Sequence, residues 1–281
     1  MLSYRHAFHA GSHADVLKHF VLVQLLQYLK QKDKPYWVVD THAGAGMYAL
    51  DSGYAAQNAE YKTGIARLWA RNDLPATVAE YVALVRAVNA DNSLKTYPGS
   101  PVFAHKLLRG EDRLRLFELH PTDSQHLQDN FEHAGRQVKI EMADGFARLK
   151  ALLPPPSRRG LVLIDPPYEE KQDYQRVITA LNEALKRFAT GTYAVWYPML
   201  QRQESEQFAD KLKHLNSASW LHVGLAVHTP SLDGFGMHGS GMFIINPPWT
   251  LQATLQATMP FLTENLTQDD GAQFLLESAD A

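Results

Sequence analysis

The stretch Leu161-Val162-Leu163-Ile164-Asp165-Pro166-Pro167-Tyr168 decides the fold of this chain. Its four apolar residues have the length and character of a buried strand in an α/β sheet. The strand must end at the two prolines, because proline has no backbone N–H to donate and fixes φ. In open, mostly parallel sheets, ligands bind at the carboxyl ends of the strands. The sequence therefore predicts a ligand site directly after residue 164.

The residues after this strand suit methyl transfer to a planar amine. The exocyclic nitrogen of adenine is a poor nucleophile, because its lone pair is delocalised into the ring. The Asp165 carboxylate and the Pro166 carbonyl can hold its two N–H bonds out of plane, while Tyr168 stacks on the base. A carboxylate is too weak a base to deprotonate a neutral amine, so we expect Asp165 to accept a hydrogen bond first and a proton only after transfer. The tetrapeptide alone also fits a turn that merely ends a strand.

The 281-residue chain contains no cysteine and carries a formal net charge of -3. Disulfides, thiolate zinc sites and a thiol nucleophile are therefore excluded. The charge excludes a globally basic nucleic-acid binder, so a polyanion must meet a local patch. We find no charged-then-apolar leader and no apolar stretch long enough to span a bilayer. These features predict a cytoplasmic protein that binds no membrane, and we expect it to be a monomer.

Three groups of basic residues are candidates for such a local patch. Within the first 34 residues they are Arg5, Lys18, Lys30, Lys32 and Lys34. The other two groups are Arg158-Arg159 and Lys186-Arg187. Each group also fits an ordinary solvated surface.

A second nucleotide-binding signal lies near the amino terminus. The capping pattern of Ser12 and Asp15 opens an amphipathic helix that we expect to run to about Lys30, before a strand at 36–39. The turn Asp40-Thr41-His42-Ala43-Gly44-Ala45-Gly46 follows that strand. Its D-x-x-x-G-x-G spacing differs from the dinucleotide-binding pattern and favours S-adenosylmethionine over NAD. An ordinary tight turn also fits it.

The rest of the chain alternates helices and strands, which predicts a single α/β domain over residues 1–281. We expect the Rossmann-like fold of class I S-adenosylmethionine-dependent methyltransferases, with a mostly parallel seven-stranded sheet whose last strand is antiparallel. A gap in the rhythm predicts a small helical insertion at residues 48–95. Residues after Glu264 are weakly patterned and expected to be frayed.

Four acidic residues follow four apolar runs, namely Asp40, Glu118, Asp144 and Asp165. Because parallel strands end at one edge of a doubly wound sheet, these side chains should converge on one crevice. We expect Glu118 to accept hydrogen bonds from ribose hydroxyls and Asp144 from the adenine amine of the cofactor. Asp40 would orient the glycine turn or the amino-acid end of the cofactor. Any one of them alone also fits a solvated turn or a helix N-cap.

Several longer motifs are more specific than these single residues. They are Tyr4-Arg5-His6-Ala7-Phe8-His9-Ala10-Gly11, Ala14-Asp15-Val16-Leu17-Lys18-His19, the turn 40–46, Tyr97-Pro98-Gly99-Ser100-Pro101, Glu118-Leu119-His120-Pro121, Ala143-Asp144-Gly145-Phe146, and Arg158-Arg159-Gly160-Leu161 leading into Asp165-Pro166-Pro167-Tyr168. Through them the chain resembles, over essentially its whole length, the 23S ribosomal RNA adenine-N6 methyltransferases of the RlmJ type.

The resemblance implies S-adenosylmethionine as cofactor and the N6 of a flipped-out adenine in 23S rRNA as methyl acceptor, with Asp165 catalytic. The cofactor-binding residues it implies are His19, His42, Gly44, Ser100, Glu118, Asp144, Gly145 and Asp165. It also implies that Tyr4 and Lys18 contact the substrate. The chain departs from the family at Gly11-Ser12, where Gly-Asn is expected, and in the loop 230–241.

Other interpretations stay open at this point. A DNA adenine or protein glutamine amino-methyltransferase would use a similar proline corner, and an RNA-binding module could keep the fold without chemistry. The N-terminal histidines predict no metal site, because no tight carboxylate–histidine motif is present and a methyl sulfonium needs no metal. Because extruding a base costs less in unstructured RNA, we expect protein-free 23S rRNA to be a better substrate than the assembled subunit.

Overall fold

A computed structural model of the chain describes residues 6–51, 58–216 and 219–279. Its strands are β1 (Trp37–Asp40), β2 (Met47–Ala49), β3 (Thr96–Pro98), β4 (Arg113–Phe117), β5 (Val138–Glu141), β6 (Gly160–Ile164), β7 (Thr192–Leu200), β8 (Trp220–Ala226), β9 (Met237–Ile245) and β10 (Gln273–Ala279). Its α-helices are α1 (His13–Lys30), α2 (Ile65–Trp69), α3 (Ala76–Arg86), α4 (Ser100–Leu107), α5 (Pro121–Asn130), α6 (Gly145–Leu152), α7 (Gln172–Arg187), α8 (Gln203–Glu206), α9 (Phe208–Lys213) and α10 (Leu251–Leu266).

The main sheet has the strand order β10-β8-β9-β7-β6-β1-β4-β5. The five strands β7-β6-β1-β4-β5 are parallel to one another, whereas β9 is antiparallel to both β7 and β8. The first strand of the chain, β1, lies inside the sheet, with β4 on one side and β6 on the other. The strand order therefore reverses at β1. The crevice at such a reversal is where open α/β sheets bind ligands. The predicted α/β class with a mostly parallel sheet is confirmed.

The sheet contains eight strands rather than the seven predicted. The additional strand, β10, lies antiparallel to β8 from Gln273 opposite Ala226 to Ala279 opposite Trp220. The expectation that residues after Glu264 are frayed is therefore wrong. An edge strand is paired on one side only and can leave apolar side chains partly exposed, as Phe274 is here, so its sequence alternates weakly.

The described residues between β2 and β3 include two α-helices. These two short strands form a separate antiparallel pair, and the described part of the chain between them contains α2 and α3. Val78, Tyr81, Val82 and Val85 of α3 are buried. The division of the chain into one domain with an insertion at 48–95 stays a prediction.

Helix α1 is buried along most of its length rather than on one face. It packs against β7 and β9 on one side and against α3, α4 and α10 on the others. A helix covered all round is expected to be apolar all round. Asp15, Lys18 and His19 break that rule, because each of them is buried in this helix. Buried polar groups need partners, and Lys18 finds one beside the carboxyl ends of the strands, at Asp165.

Candidate active site

A cavity of about 230 Å³ lies at the carboxyl edge of the parallel strands. The loops after β1, β4, β5 and β6 line it, together with residues of α1 and the start of α4. All eight predicted cofactor-binding residues are among its lining: His19, His42, Gly44, Ser100, Glu118, Asp144, Gly145 and Asp165. Lys18 lines it as well, while Tyr4 lies outside the described residues. The structure therefore brings together predicted residues that are up to 147 positions apart in the chain, from Lys18 to Asp165.

The turn after β1 requires glycine at position 44. Gly44 has φ +61°, and a Cβ built there would lie 2.2 Å from the hydroxyl oxygen of Tyr48. Its N–H donates to Oε2 of Glu118 at 2.8 Å, and the N–H of His120 donates to Oε1 at 2.7 Å. Two backbone donors thus fix the orientation of the Glu118 carboxylate. Burial raises its pKa. The ribose-binding role of Glu118 stays a prediction.

Asp144 caps the amino terminus of α6 and also forms an ion pair. Its Oδ1 accepts from the N–H of Phe146 at 2.9 Å, and its Oδ2 accepts from Nη2 of Arg176 at 2.9 Å. The next residue must be glycine, because a Cβ at Gly145 would lie 2.2 Å from the carbonyl oxygen of Thr41. The start of α6 is therefore packed directly on the turn after β1.

His42 is held as a neutral imidazole. Its Nδ1 lies 2.8 Å from Oγ1 of Thr41, and that hydroxyl donates its only proton to the carbonyl of Leu163 at 3.0 Å. Nδ1 must therefore be the donor in the contact with Thr41, which leaves Nε2 as a hydrogen-bond acceptor. Burial, with Arg176 nearby, lowers the pKa of His42 to about 3.

Asp40 does not line the cavity but holds two residues that do, Ser100 and His42. Its Oδ2 accepts from the Ser100 hydroxyl at 2.6 Å, and its Oδ1 accepts from the N–H of His42 at 3.2 Å. These contacts favour the first of its two predicted roles, orientation of the glycine turn. Burial raises the pKa of Asp40 to about 7, and the charge of Asp165 acts in the same direction.

Asp165 is joined to the buried polar residues of α1. Nζ of Lys18 lies 2.7 Å from Oδ2 of Asp165 and 2.8 Å from Oδ1 of Asp15. Asp15 also lies 3.0 Å from Nε2 of His6 and accepts from the N–H of Gly11 at 2.9 Å. Although burial opposes the charge on both residues, their neighbours hold the pKa of Asp15 well below its usual range and raise that of Lys18. The result is a chain of charged partners that ends at Asp165.

This chain of partners corrects the prediction that Lys18 belongs to a surface patch. Its side chain is only 4% exposed, and that of Asp165 is 12% exposed. The ammonium group is enclosed between two carboxylates, so it cannot bind phosphates on the outer surface. Its place on the cavity lining is compatible with the predicted substrate contact, which stays a prediction.

The structure also corrects the prediction that Tyr168 stacks on the target base. Tyr168 is only 1% exposed and does not line the cavity. Its backbone has φ +52°, its hydroxyl donates to the carbonyl of Trp196 at 2.7 Å, and its ring packs on Tyr174 and Phe208. Tyr168 therefore anchors the turn that carries Asp165. Pro166 is buried beside it, and the role of its carbonyl stays a prediction.

His19 lies in a network of buried side chains below the cavity. Its Nδ1 is 2.7 Å from the hydroxyl of Tyr97, which in turn is 2.9 Å from the hydroxyl of Tyr81. Burial lowers the pKa of His19 well below its usual range. A neutral His19 thus connects α1 to α3, inside the predicted insertion.

Sequence reasoning missed several residues of this site. The sequence indicates Asp15 only as a capping residue, and it assigns no individual role to His6, Thr41 or Arg176. The i,i+3 spacing of Asp173 and Arg176 on α7 was a weak signal, since such pairs interact on helices. Nothing in the sequence indicated that Lys18 meets Asp165.

The fold and the site define a class I S-adenosylmethionine-dependent methyltransferase. Residues 33–276 match the model of the family described as "Ribosomal RNA large subunit methyltransferase D, RlmJ". The chain belongs to this family. Proteins named "Ribosomal RNA large subunit methyltransferase J" are similar to it: that of Escherichia coli is 50% identical over 95% of this chain and 94% of its own, and that of Haemophilus influenzae is 47% identical over 99% and 98%.

A solved structure has the same fold. The crystal structure of a Legionella pneumophila protein is 39% identical in sequence, has a TM-score of 0.89, and matches over 96% of this chain and 98% of its own. Within 6–51, 58–216 and 219–279, no cluster of histidine and carboxylate side chains is arranged to hold a metal ion. In the same ranges, no helix is long and apolar enough to cross a membrane.

Proposed function

We propose that this protein transfers a methyl group from S-adenosylmethionine to the exocyclic N6 of an adenine in 23S rRNA. The observation that carries the proposal is the Asp165 carboxylate, which lines the cavity at the end of β6 and is oriented by Lys18 at 2.7 Å. The names of the relatives from Escherichia coli and Haemophilus influenzae support rRNA as the substrate class.

The donor and acceptor groups of the cavity fit the proposed cofactor. When bound, S-adenosylmethionine supplies an electrophilic methyl group on a positively charged sulfur. Among the described residues that line the cavity, seven carry carboxylates, including Glu118, Asp144 and Asp165, and two carry cations, Lys18 and Arg176, so this site favours a cation. Glu118 and Asp144 keep free lone pairs beside their backbone partners, because each carboxylate oxygen can accept two hydrogen bonds.

Asp165 acts as an acceptor for the target amine. Lys18 occupies its Oδ2, which leaves Oδ1 to accept one N–H of the adenine amine, and the Pro166 carbonyl accepts the other. Holding both bonds restores the nucleophilicity of the nitrogen lone pair. Because a carboxylate is too weak a base to deprotonate the neutral amine, Asp165 accepts a proton only from the more acidic methylated nitrogen and then releases it to solvent.

The reacting adenine must leave its helix to enter the cavity. Extrusion costs a few kcal/mol, and least where the base is already unpaired, so protein-free 23S rRNA is the better substrate. The purified protein should be incubated with labelled S-adenosylmethionine and a protein-free 23S rRNA transcript, followed by digestion to nucleosides. N6-methyladenosine is the expected product. Labelling only of duplex DNA or of protein in parallel reactions would contradict the proposal, and equal rates on assembled subunits would contradict the preference for protein-free RNA.

A further inference from the structure

The amino edge of the sheet, opposite the cavity, gathers basic residues from distant parts of the chain. Arg159, just before β6, donates from Nη1 to the carbonyls of Lys32 at 3.2 Å and Lys34 at 2.6 Å. Arg109, before β4, donates from Nη1 to the same carbonyl of Lys32 at 2.7 Å. We call this surface the basic edge. It comprises Lys30, Lys32, Lys34, Arg109, Arg158 and Arg159.

The basic edge is positive in a chain whose net charge is negative. The segments 30–34, 109–115 and 158–159 that build it contain eight basic and three acidic residues, against a net charge of -3 for the whole chain. One of the three carboxylates, Asp112, is fully buried and paired with Arg109 at 3.0 Å. The positive charge of this edge is therefore largely uncompensated.

Two of the six residues of the basic edge hold other parts of the chain in place, and three others are exposed, with no ion pair in the described part of the chain. Arg109 and Arg159 donate to the carbonyls of residues 29–34, where α1 ends, and their guanidinium groups lie 5.4 and 5.7 Å from the ring centre of Tyr36. Helix ends need such donors. Lys32, Lys34 and Arg158 are exposed and form no ion pair with another described residue. Their charges are free to meet a polyanion.

The kind of ligand follows from the exposed charges of the basic edge and from two aromatic residues beside it, Tyr36 and Trp37. Bases of single-stranded RNA are bound by stacking on exposed aromatic rings. Tyr36 is fully buried, and Arg115 covers the ring of Trp37 at 4.4 Å from its centre, so neither offers a stacking surface. The exposed cations Lys32, Lys34 and Arg158 suit the phosphates of a double helix, which proteins recognise mainly by shape and backbone.

The two edges are close enough for one RNA molecule to contact both of them. β1 has four residues and β6 has five, so the edges are separated by about 15 Å. We propose that the basic edge binds the phosphate backbone of a double-helical segment of the substrate RNA, outside the nucleotide that enters the cavity. This inference rests on the proposed function, and it assigns to the protein a second RNA contact that sets affinity rather than chemistry.

The test uses a triple variant, Lys32→Gln, Lys34→Gln and Arg158→Gln, in the full chain. Binding of a protein-free 23S rRNA transcript is measured by filter retention between 50 and 300 mM salt, and methyl transfer gives kcat and KM. Loss of three phosphate contacts should weaken binding about tenfold or more at 150 mM and lower the slope of log K against log salt by about 2 to 3. KM should rise in parallel, with kcat unchanged.

Two further variants make the test specific. The charge-conserving triple Lys32→Arg, Lys34→Arg and Arg158→Lys should restore binding and the salt slope. The control triple Lys106→Gln, Lys150→Gln and Lys211→Gln removes the same charge from exposed positions elsewhere and should change KM less than twofold. An unchanged salt slope in the first triple, or an equal loss in the control, would overturn the inference.

The binding arm separates this inference from the proposed function. If the wild-type protein retains the transcript but methylates no adenine in it, the proposed function fails, while the comparison of the triples still decides the role of the basic edge. If methylation proceeds with wild-type KM in the first triple, the inference fails and the proposed function stands.

Discussion

The two edges of the main sheet carry opposite charges, and these charges differ in how many partners they have within the protein. At the carboxyl edge, Asp40, Glu118, Asp144 and Asp165 surround a cavity, and each carboxylate already accepts a hydrogen bond from a backbone N–H, a hydroxyl or a cation. At the amino edge, Lys32, Lys34 and Arg158 are exposed without ion partners among the described residues. The carboxylates at the carboxyl edge are therefore held in fixed positions, whereas the cations at the amino edge are available to bind a ligand.

This difference separates chemistry from affinity. Groups fixed by several partners need no rearrangement when a reaction creates charge, which is how sites of this kind lower barriers. Exposed cations contribute attraction that depends on salt and tolerates variation in position. Changes at the carboxyl edge should therefore lower kcat, and changes at the amino edge should raise KM.

The largest effect is expected from Asp165→Ala. This change removes an acceptor of the target amine, and loss of one such group costs about a hundredfold or more in kcat. Binding of S-adenosylmethionine, measured by calorimetry, should stay within a few-fold of wild type. Glu132→Gln, an exposed acid elsewhere, is the control. A kcat within threefold of wild type for Asp165→Ala would remove this residue from the chemistry.

The next effect concerns Lys18→Met, which keeps the length of the side chain but removes its charge. Asp15 and Asp165 would then be left without their shared cation, and breaking a buried ion pair by removing one partner costs about 3 to 5 kcal/mol. The free energy of unfolding, measured with urea, should fall accordingly. Lys18→Arg should lose less. If Lys18→Met is as stable as wild type, the buried pair is not the support that we describe.

A smaller effect is expected from pH. The pKa of Asp40 is raised to about 7, so the group loses its proton between pH 6 and 8. The added negative charge favours a cationic ligand, and S-adenosylmethionine should bind about three- to tenfold more tightly at pH 8 than at pH 6. S-adenosylhomocysteine, which lacks the sulfonium charge, should change less, and Asp40→Asn should remove the difference. Identical pH profiles for both ligands would count against this account.

The smallest effect is expected from Tyr168→Phe, which changes a residue that supports the cavity without lining it. Tyr168→Phe removes a buried hydrogen bond to the carbonyl of Trp196 and should cost about 1 kcal/mol of stability. Because the ring does not reach the cavity, kcat and KM should remain within twofold of wild type. A raised KM for RNA at unchanged thermal stability would instead favour a direct substrate contact.

The strand ends were predictable because parallel strands end at one edge. A run such as Leu161–Ile164 followed by prolines fixes both the end of the strand and the edge that Asp165 occupies. Gly44 was recognisable as part of a glycine-containing turn after a strand, whereas Gly145 was implied by the family resemblance; at both positions a Cβ would clash with neighbouring atoms. The acidic residues that the strand ends contribute to the cavity could therefore be predicted without knowing the packing of any helix.

What could not be predicted depends on tertiary packing. The left-handed backbone at Tyr168 turns its ring into the core, and a tyrosine after two prolines gives no sign of that. The pattern of α1 resembles an amphipathic helix, while its polar residues are enclosed by strands and helices from other parts of the chain. The pairing of Lys18 with Asp165, 147 residues apart, has no local signal.

The most direct test of the central claim is a double-mutant cycle on the rate of methyl transfer. Single-turnover formation of N6-methyladenosine should be measured for wild type, Lys18→Met, Asp165→Asn and the double variant, with all proteins saturated in cofactor and RNA. If Lys18 acts through Asp165, the double variant should be no slower than Asp165→Asn alone. Rate losses that multiply would show that the two residues act independently and would contradict the account.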